Sequence, residues 1–491
     1  MKAGRLALVL VMALVSAACG ARLTDEQRAA GISSVSAGGS AGGGDLTDQL
    51  GDLADGGAVG SDVTGSGGSG GSGGTSGRSG SSGGGGNAGS SDSGGGGGTG
   101  GGGGGSGFSG DNGGATDTGV TGDRITIYTL ADVTGPRPGL FKSAHQAVAA
   151  FAAYINSQGG IYGRALVPKL IDSKTDSGAY RAGVLEACDN AFALIGSMSA
   201  FDDTAKQAIE SCMIPDIPGP PTAQSHIEAA STFPPYPNRG DKVGTGPPAY
   251  TAEKYPNAVK KAALLYINAA AGATNAAARK AAWQRTGFTF IHEQAVQVVE
   301  PNYTPFITQM RDKGVEYVTF VGDNDTIAKL MKAAHQQGWA PEVWDWDSVA
   351  YDPRFPEKVT AEAGEGARIF INTQMWEEAG SIPEMALYLE WLNRVAPNAQ
   401  PDYFGLYAWS AARLFTEAAL KTGPKLTRTG MVETLKGWGE WDGKGIHAPH
   451  HIGSKTPSKC FMYVRMSGGK FVRDYPLQGL ECSKGRVEDA S

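Results

Sequence analysis

The residues of this chain best able to do chemistry are few and scattered. His447, His450 and His451 stand close enough in sequence to share a metal. They lie among Gly, Pro and Lys, however, and a solvated turn is the plainer reading. His292-Glu293 lacks the second histidine of a His-Glu-x-x-His zinc site. Beyond Gly114 there is no Gly-x-Ser-x-Gly and no phosphate-binding glycine loop. Nothing in the spacing groups a nucleophile, a base and an orienting acid. The expectation is a protein with no catalytic residues, no metal and no cofactor. Of the 5 cysteines, Cys19 ends an N-terminal apolar run and stands apart. The remaining four, in a chain with an export signal, suggest disulfides between sequence neighbours, Cys188 with Cys212 and Cys460 with Cys482. Each would close a loop of roughly 20–25 residues, worth about 3 kcal/mol in the chain-entropy model. Buried free thiols are the alternative.

The export signal is residues 1–19. Lys2 and Arg5 precede an apolar run over 6–15, too short to span a bilayer, and Ser16, Ala17 and Ala18 are the small residues of a cleavage site. Cleavage before a lipidated Cys19 and ordinary cleavage after Ala18 both fit, with Ser16 standing where a bacterial lipoprotein signal usually has Leu or Val. Either way the chain is exported. Residues 20–116 read as a linker, with 32 of the chain's 75 glycines falling in 56–114. Such a segment buries too little apolar surface to offset its ordering entropy, so it is expected to be a disordered Gly/Ser-rich tether. As a flexible coil, its glycine-richest stretch of about 60 residues would span roughly 40–45 Å.

Core-forming residues begin beyond the tether: of all the Phe, Trp and Tyr, only Phe108 lies before Ala115. Strand-like runs at 124–130, 165–172 and 191–195 alternate with helix-like runs at 142–157, 177–187 and 202–211. The alternation restarts after a Pro/Gly-rich stretch at 231–255. Strands are expected at 261–267, 287–295, 317–321 and 342–346, with helices at 273–286, 302–313 and 325–337. This pattern predicts an α/β fold with parallel sheets and helices on both faces. Two such runs joined by a crossing segment predict two doubly wound lobes with an interlobe cleft, a common place for a ligand.

Several stretches, in order, resemble the type I periplasmic solute-binding proteins of the leucine/isoleucine/valine-binding class, the receptors of ABC importers. They are LADVTG at 130–135, AAFAAYINSQGGIYG at 149–163, LIGSMSA at 194–200, IPDIPGPPTA at 214–223, NYTPFITQMRDKGVEYVTFV at 302–321 and WDSVAYDP at 346–353. The resemblance implies a periplasmic-binding-protein domain over 117–482. Lobe 1 would take about 120–250 and 378–445, and lobe 2 about 251–377 and 446–482. Receptors of this class hold a small zwitterion without forming covalent bonds. The loop Ser197-Met198-Ser199-Ala200 follows a strand and precedes a helix. Its hydroxyls and N–H groups could cradle a carboxylate, while Ser199 could equally be a helix cap. Thr222 matches a threonine that donates to the same carboxylate, and Pro220 a position whose carbonyl accepts from the ligand ammonium. Asp347 matches the family's acidic partner for that ammonium. Asp345 and Asp352 compete for the role, and Asp323 is a second acid where the family often has an aromatic or small residue. Asn268 to Gly272 stand where an aromatic is frequent. That departure argues against a leucine-like ligand, and the two acids favour a more cationic or polar one.

With 42 Lys+Arg against 49 Asp+Glu and a net charge of −7, nothing suggests a nucleic-acid partner. The expected partners are a small polar solute such as an amino acid, an ABC permease, and the membrane through a lipid anchor at Cys19. The expected place is the outer face of the cytoplasmic membrane or the periplasm. A solute-sensing receptor of the same fold, or a non-binding envelope scaffold, are the alternatives.

Overall fold

A computed structural model describes residues 110–489. The signal, Cys19 and most of the tether lie outside the described residues. The first half of the fold runs β1 (Arg124–Ala131), α1 (Lys142–Ser157), β2 (Ala165–Asp172), α2 (Ser177–Asn190), β3 (Ala193–Ile195), α3 (Lys206–Cys212), β4 (Asp216–Ile217) and α4 (Gln224–Glu228). After β5 (Lys242–Gly244) and α5 (Gly246–Lys254) come β6 (Ala262–Ile267), α6 (Ala270–Arg285), β7 (Phe290–Val296), α7 (Thr304–Asp312), β8 (Tyr317–Val321) and α8 (Asn324–Gln336). Next are β9 (Val343–Trp346), α9 (Phe355–Val359), α10 (Ala361–Gly364) and β10 (Arg368–Ile371). The chain returns through α11 (Pro383–Val395), α12 (Tyr403–Thr422) and α13 (Arg428–Lys436). It finishes with β11 (Glu440–Trp441), β12 (His450–His451), β13 (Met462–Ser467), β14 (Lys470–Tyr475) and β15 (Val487–Asp489).

Lobe 1 is built on the sheet β2-β1-β3-β4, parallel throughout. Side-chain alternation along β1 explains its two layers. Ile125 and Ile127 join a core with Phe151 of α1 and Trp409 of α12, whose rings meet edge-on at 4.9 Å. Tyr128 and Leu130 face the opposite way, onto Tyr180 of α2 and Ile209 of α3. Lobe 2 is built on β14-β13-β10-β9-β8-β6-β7, with β13 and β14 antiparallel at one edge of a parallel sheet. Ala263 and Leu265 pack toward α7 and α8, whereas Ala262 packs with Trp283 of α6. The α/β architecture of two doubly wound lobes is therefore as expected.

The chain crosses between lobes after β4, after β10 and after α13. The last two crossings lie side by side, with the Ala448 N–H donating to Asn372 O at 2.6 Å. Disulfides join Cys188 to Cys212 and Cys460 to Cys482, closing separations of 24 and 22 residues. The first ties α2 to α3, and the second ties the start of the β13–β14 hairpin to the segment after it. Residues 112 and 114, inside the stretch read as linker, are held by the buried Arg164. Its guanidinium donates to the carbonyls of Asn112, Gly114, Thr121 and Pro424. β15 pairs with β5 beyond position 482.

Candidate functional site

In a parallel sheet the loops after the strands gather at one edge. The loops after β1, β3 and β4 of lobe 1 carry Asp132, the segment 197–200 and the segment 218–223. Ser197 and Ser199 are 1% and 0% exposed. The Ser197 hydroxyl accepts the Leu130 N–H at 3.1 Å, which knits the loop to the end of β1. Met198 packs against Gly219 so closely that a Cβ there would fall 1.9 Å from the Met198 methyl. The Ser199 hydroxyl donates to Asp132 Oδ1 at 3.0 Å and the Ala200 N–H to Asp132 Oδ2 at 2.8 Å. Asp132 also accepts from Ser173 Oγ at 2.5 Å and Thr175 N at 3.1 Å, and is fully buried. An internal carboxylate thus sits on the donors of this loop.

The same arrangement recurs one loop on. Asp202 accepts the Thr222 N–H at 2.7 Å, the Thr222 hydroxyl at 2.7 Å and the Ala223 N–H at 2.9 Å. His226 bridges Asp202 at 3.0 Å and Asp216 at 2.7 Å through its two ring nitrogens. Burial alone would lower the His226 pKa, but the Asp216 and Asp202 carboxylates more than offset it and hold it at about 10. The ring is therefore charged at neutral pH and donates from both nitrogens. Pro220 is buried, and the neighbouring Pro221 carbonyl accepts from Asn238 Nδ2 at 3.1 Å.

On lobe 2, Asp347 follows β9, caps the turn at Val349 N and pairs with Arg279 Nη2 at 2.5 Å. Arg279 lies over Trp283 at 5.4 Å and Phe370 at 5.6 Å and donates to Phe320 O at 2.9 Å. Asp347 faces lobe 1. Burial raises the phenol pKa values of Tyr236 and Tyr403, and the Asp347 charge adds to the rise in both. Asp323 caps α8 through Thr326 N at 3.0 Å. It also forms an ion pair with Arg137, which projects from the loop after β1 and donates to Val298 O at 2.9 Å. A second interlobe pair of opposite polarity joins Arg354 Nη2 to Asp402 Oδ2 at 3.4 Å. Burial pushes the Asp402 carboxyl up, and Arg354 opposes the shift. Between these two pairs lies a cavity of about 180 Å³, lined from lobe 1 by Arg137, Asp402 and Tyr403 and from lobe 2 by Asp323, Asp352 and Arg354. Of the expected site residues it brings in Asp323 alone, and the segment 197–200, Pro220, Thr222 and Asp347 lie outside its lining.

Asp345, one competitor for the ammonium role, is buried elsewhere, accepting from Thr251, Tyr317 and Tyr463. Asp352 is 2% exposed and salt-bridged to Arg354 at 2.6 Å. Trp344 and Trp346 are core residues, their rings 5.3 Å apart. The histidine-rich segment corrects the reading of a solvated turn. His447 and His450 are 1% exposed each and pack on Tyr407, because the third crossing runs through the interior at the hinge. Burial lowers the His447 pKa to about 4. Among the described residues no three His, Cys, Asp or Glu are grouped to hold a metal.

Sequence reasoning missed Asp132, Asp202, His226, Arg137 and Arg279. Asp132 lies inside the stretch at 130–135 and Asp202 just past the one at 194–200, but nothing in one-dimensional spacing shows a carboxylate folding back under a loop. Arg137 carries a prediction. Arg137→Ala removes one interlobe ion pair and the bond to Val298, so the ligand-free lobes should open. Small-angle scattering should record a larger radius of gyration for the variant, and an unchanged radius would show that Arg137 does not restrain the lobes.

The family model described as periplasmic binding protein matches residues 124–470. A search of curated proteins finds no match. Among solved structures, a fatty acid ABC transporter substrate-binding protein from Thermomonospora curvata aligns with a TM-score of 0.64 at 19% identity, over 75% of this chain and 95% of that one. A branched chain amino acid ABC transporter protein from Thermus thermophilus, solved with bound valine, aligns with a TM-score of 0.63 at 18% identity, over 74% and 97%. The substrate-binding protein LivJ from Streptococcus pneumoniae, in complex with isoleucine, gives 0.59 at 14% identity, over 75% and 99%. At these identities the three establish a shared fold.

Proposed function

Because the chain belongs to the periplasmic binding protein family, a family of solute binders rather than enzymes, we propose that it captures a small polar solute outside the cytoplasm and presents it to an ABC permease. The observation that carries this reading is the interlobe cleft itself. Loops from both lobes meet across a cavity bridged by two reciprocal ion pairs, Arg137 with Asp323 and Arg354 with Asp402. Such a joint can open when the pairs part and close when a solute adds contacts to both sides, so the ligand shifts the population toward the closed form. In this proposal the solute space continues past that cavity when the lobes part, with Ser197, Met198, Ser199, Ala200, Pro220 and Thr222 as its lobe 1 wall. Asp323 and Asp347 form the lobe 2 wall, with Asp347 accepting hydrogen bonds from the solute.

The test is a thermal-shift screen of protein unfolded and refolded to strip any bound solute, against amino acids, amides, amines and short peptides. A solute at a hundredfold excess over its Kd should stabilise the protein by about 2.7 kcal/mol. No shift with any solute would favour a scaffold role.

Membrane attachment is part of the same proposal. No helix among the described residues is long and apolar enough to cross a membrane, and the Cys19 signal supplies the anchor. Cys19→Ala should move the protein from the membrane fraction to the soluble extracytoplasmic fraction. Persistent membrane association would reject that anchor.

A further inference from the structure

We propose, on the basis of the solute-capture reading, that this cleft selects polar solutes lacking a free carboxylate, because lobe 1 supplies its own. Five donors in the loops after β3 and β4 are spoken for. Ser199 Oγ and Ala200 N donate to Asp132, while Thr222 N, Thr222 Oγ1 and Ala223 N donate to Asp202. A hydroxyl or a backbone amide has a single hydrogen to give, so a solute carboxylate arriving here finds none of these five free, and Ser197, whose hydroxyl accepts the Leu130 N–H, is itself 1% exposed.

Neither internal carboxylate can swing aside to make room. Asp132 is 0% exposed and Asp202 1%. Each is also pinned by groups away from these loops, Asp132 by Ser173 Oγ and Thr175 N and Asp202 by His226. Withdrawing either would leave a buried charge without partners, which the fold resists strongly. A solute carboxylate placed against the same donors would also lie beside a like charge, the arrangement that disfavours ionisation of both. Across the cleft, the Arg279 charge is balanced by Asp347 and the Arg137 charge by Asp323. Neither arginine is therefore an unbalanced cation in their place. What remains suits an amide or an amine, whose N–H groups can donate to Asp347.

The experiment uses the full chain, stripped of solute, and pairs of probes that differ by the carboxylate: leucine and leucinamide, glutamine and 4-aminobutanamide, arginine and agmatine, ornithine and putrescine. The expected result is that at least one carboxylate-free member binds, and at least tenfold more tightly than its carboxylated partner. In Asp132→Asn, which keeps the shape and removes the charge, that preference should fall by at least tenfold. A carboxylated member binding the wild type as tightly as its partner overturns the inference while leaving solute capture intact. So does a preference that Asp132→Asn leaves unchanged. Binding by no member of either class overturns the solute-capture reading and this inference with it.

Discussion

Asp202→Ala is expected to lower the unfolding free energy by about 3–5 kcal/mol, the range for breaking a buried, hydrogen-bonded ion pair from one side. The substitution strips partners from Thr222 N, Thr222 Oγ1 and Ala223 N at once. It also takes one of two carboxylates from a fully buried imidazolium. Urea denaturation measures the loss, and a change below about 1 kcal/mol would mean that the network does not hold the lobe 1 loops. The same network sets a pH signature. A histidine whose folded pKa is raised to about 10 contributes stability that is fully present below its unfolded value of about 6.5. That contribution is lost as the pH rises through about 10. Wild-type stability should therefore decline across this alkaline window, and His226→Gln should flatten the decline.

The second large effect concerns binding. Asp347→Ala is expected to weaken the solute by about a hundredfold, the order found when one side of a desolvated, hydrogen-bonded charge contact is removed. The fold should survive, since Asp347 is about one-sixth exposed at 16% and Arg279 keeps its bond to Phe320 O and its two aromatic faces. A calorimetric titration beside an unfolding curve separates the two effects. Unchanged affinity with intact stability would remove Asp347 from the site. Asp347→Asn, which keeps an acceptor oxygen, should recover part of the loss for a neutral amide and little for an amine.

The lobes were legible because periodicity is local. Runs such as Tyr317–Val321, buried at every position, and Lys142–Ser157, with its apolar stripe of small residues, declare their type within one element. The strand β8 and the helix α1 fall where the pattern predicts them. The pairing of cysteines by nearness in sequence also succeeds, because each pair links elements adjacent in the chain. What the sequence conceals is which polar groups meet. Asp132 and Ser199 are 67 positions apart, and Arg279 and Asp347 are 68. Only the stacking of strands brings these groups within hydrogen-bond reach. The histidines at 447 and 450 mislead for the opposite reason: the Gly and Pro around them look like surface, yet the segment threads the packed hinge against Tyr407.

The claim on which the rest depends is that the space between the lobes takes up a solute. Calorimetric titration of the stripped protein with the best ligand from the paired probes addresses it most directly. One saturable site per chain is predicted, with a negative heat-capacity change as apolar surface closes over the ligand, and with the heat lost in Asp347→Ala. No saturable heat from any probe, or a site untouched by Asp347→Ala, would contradict it.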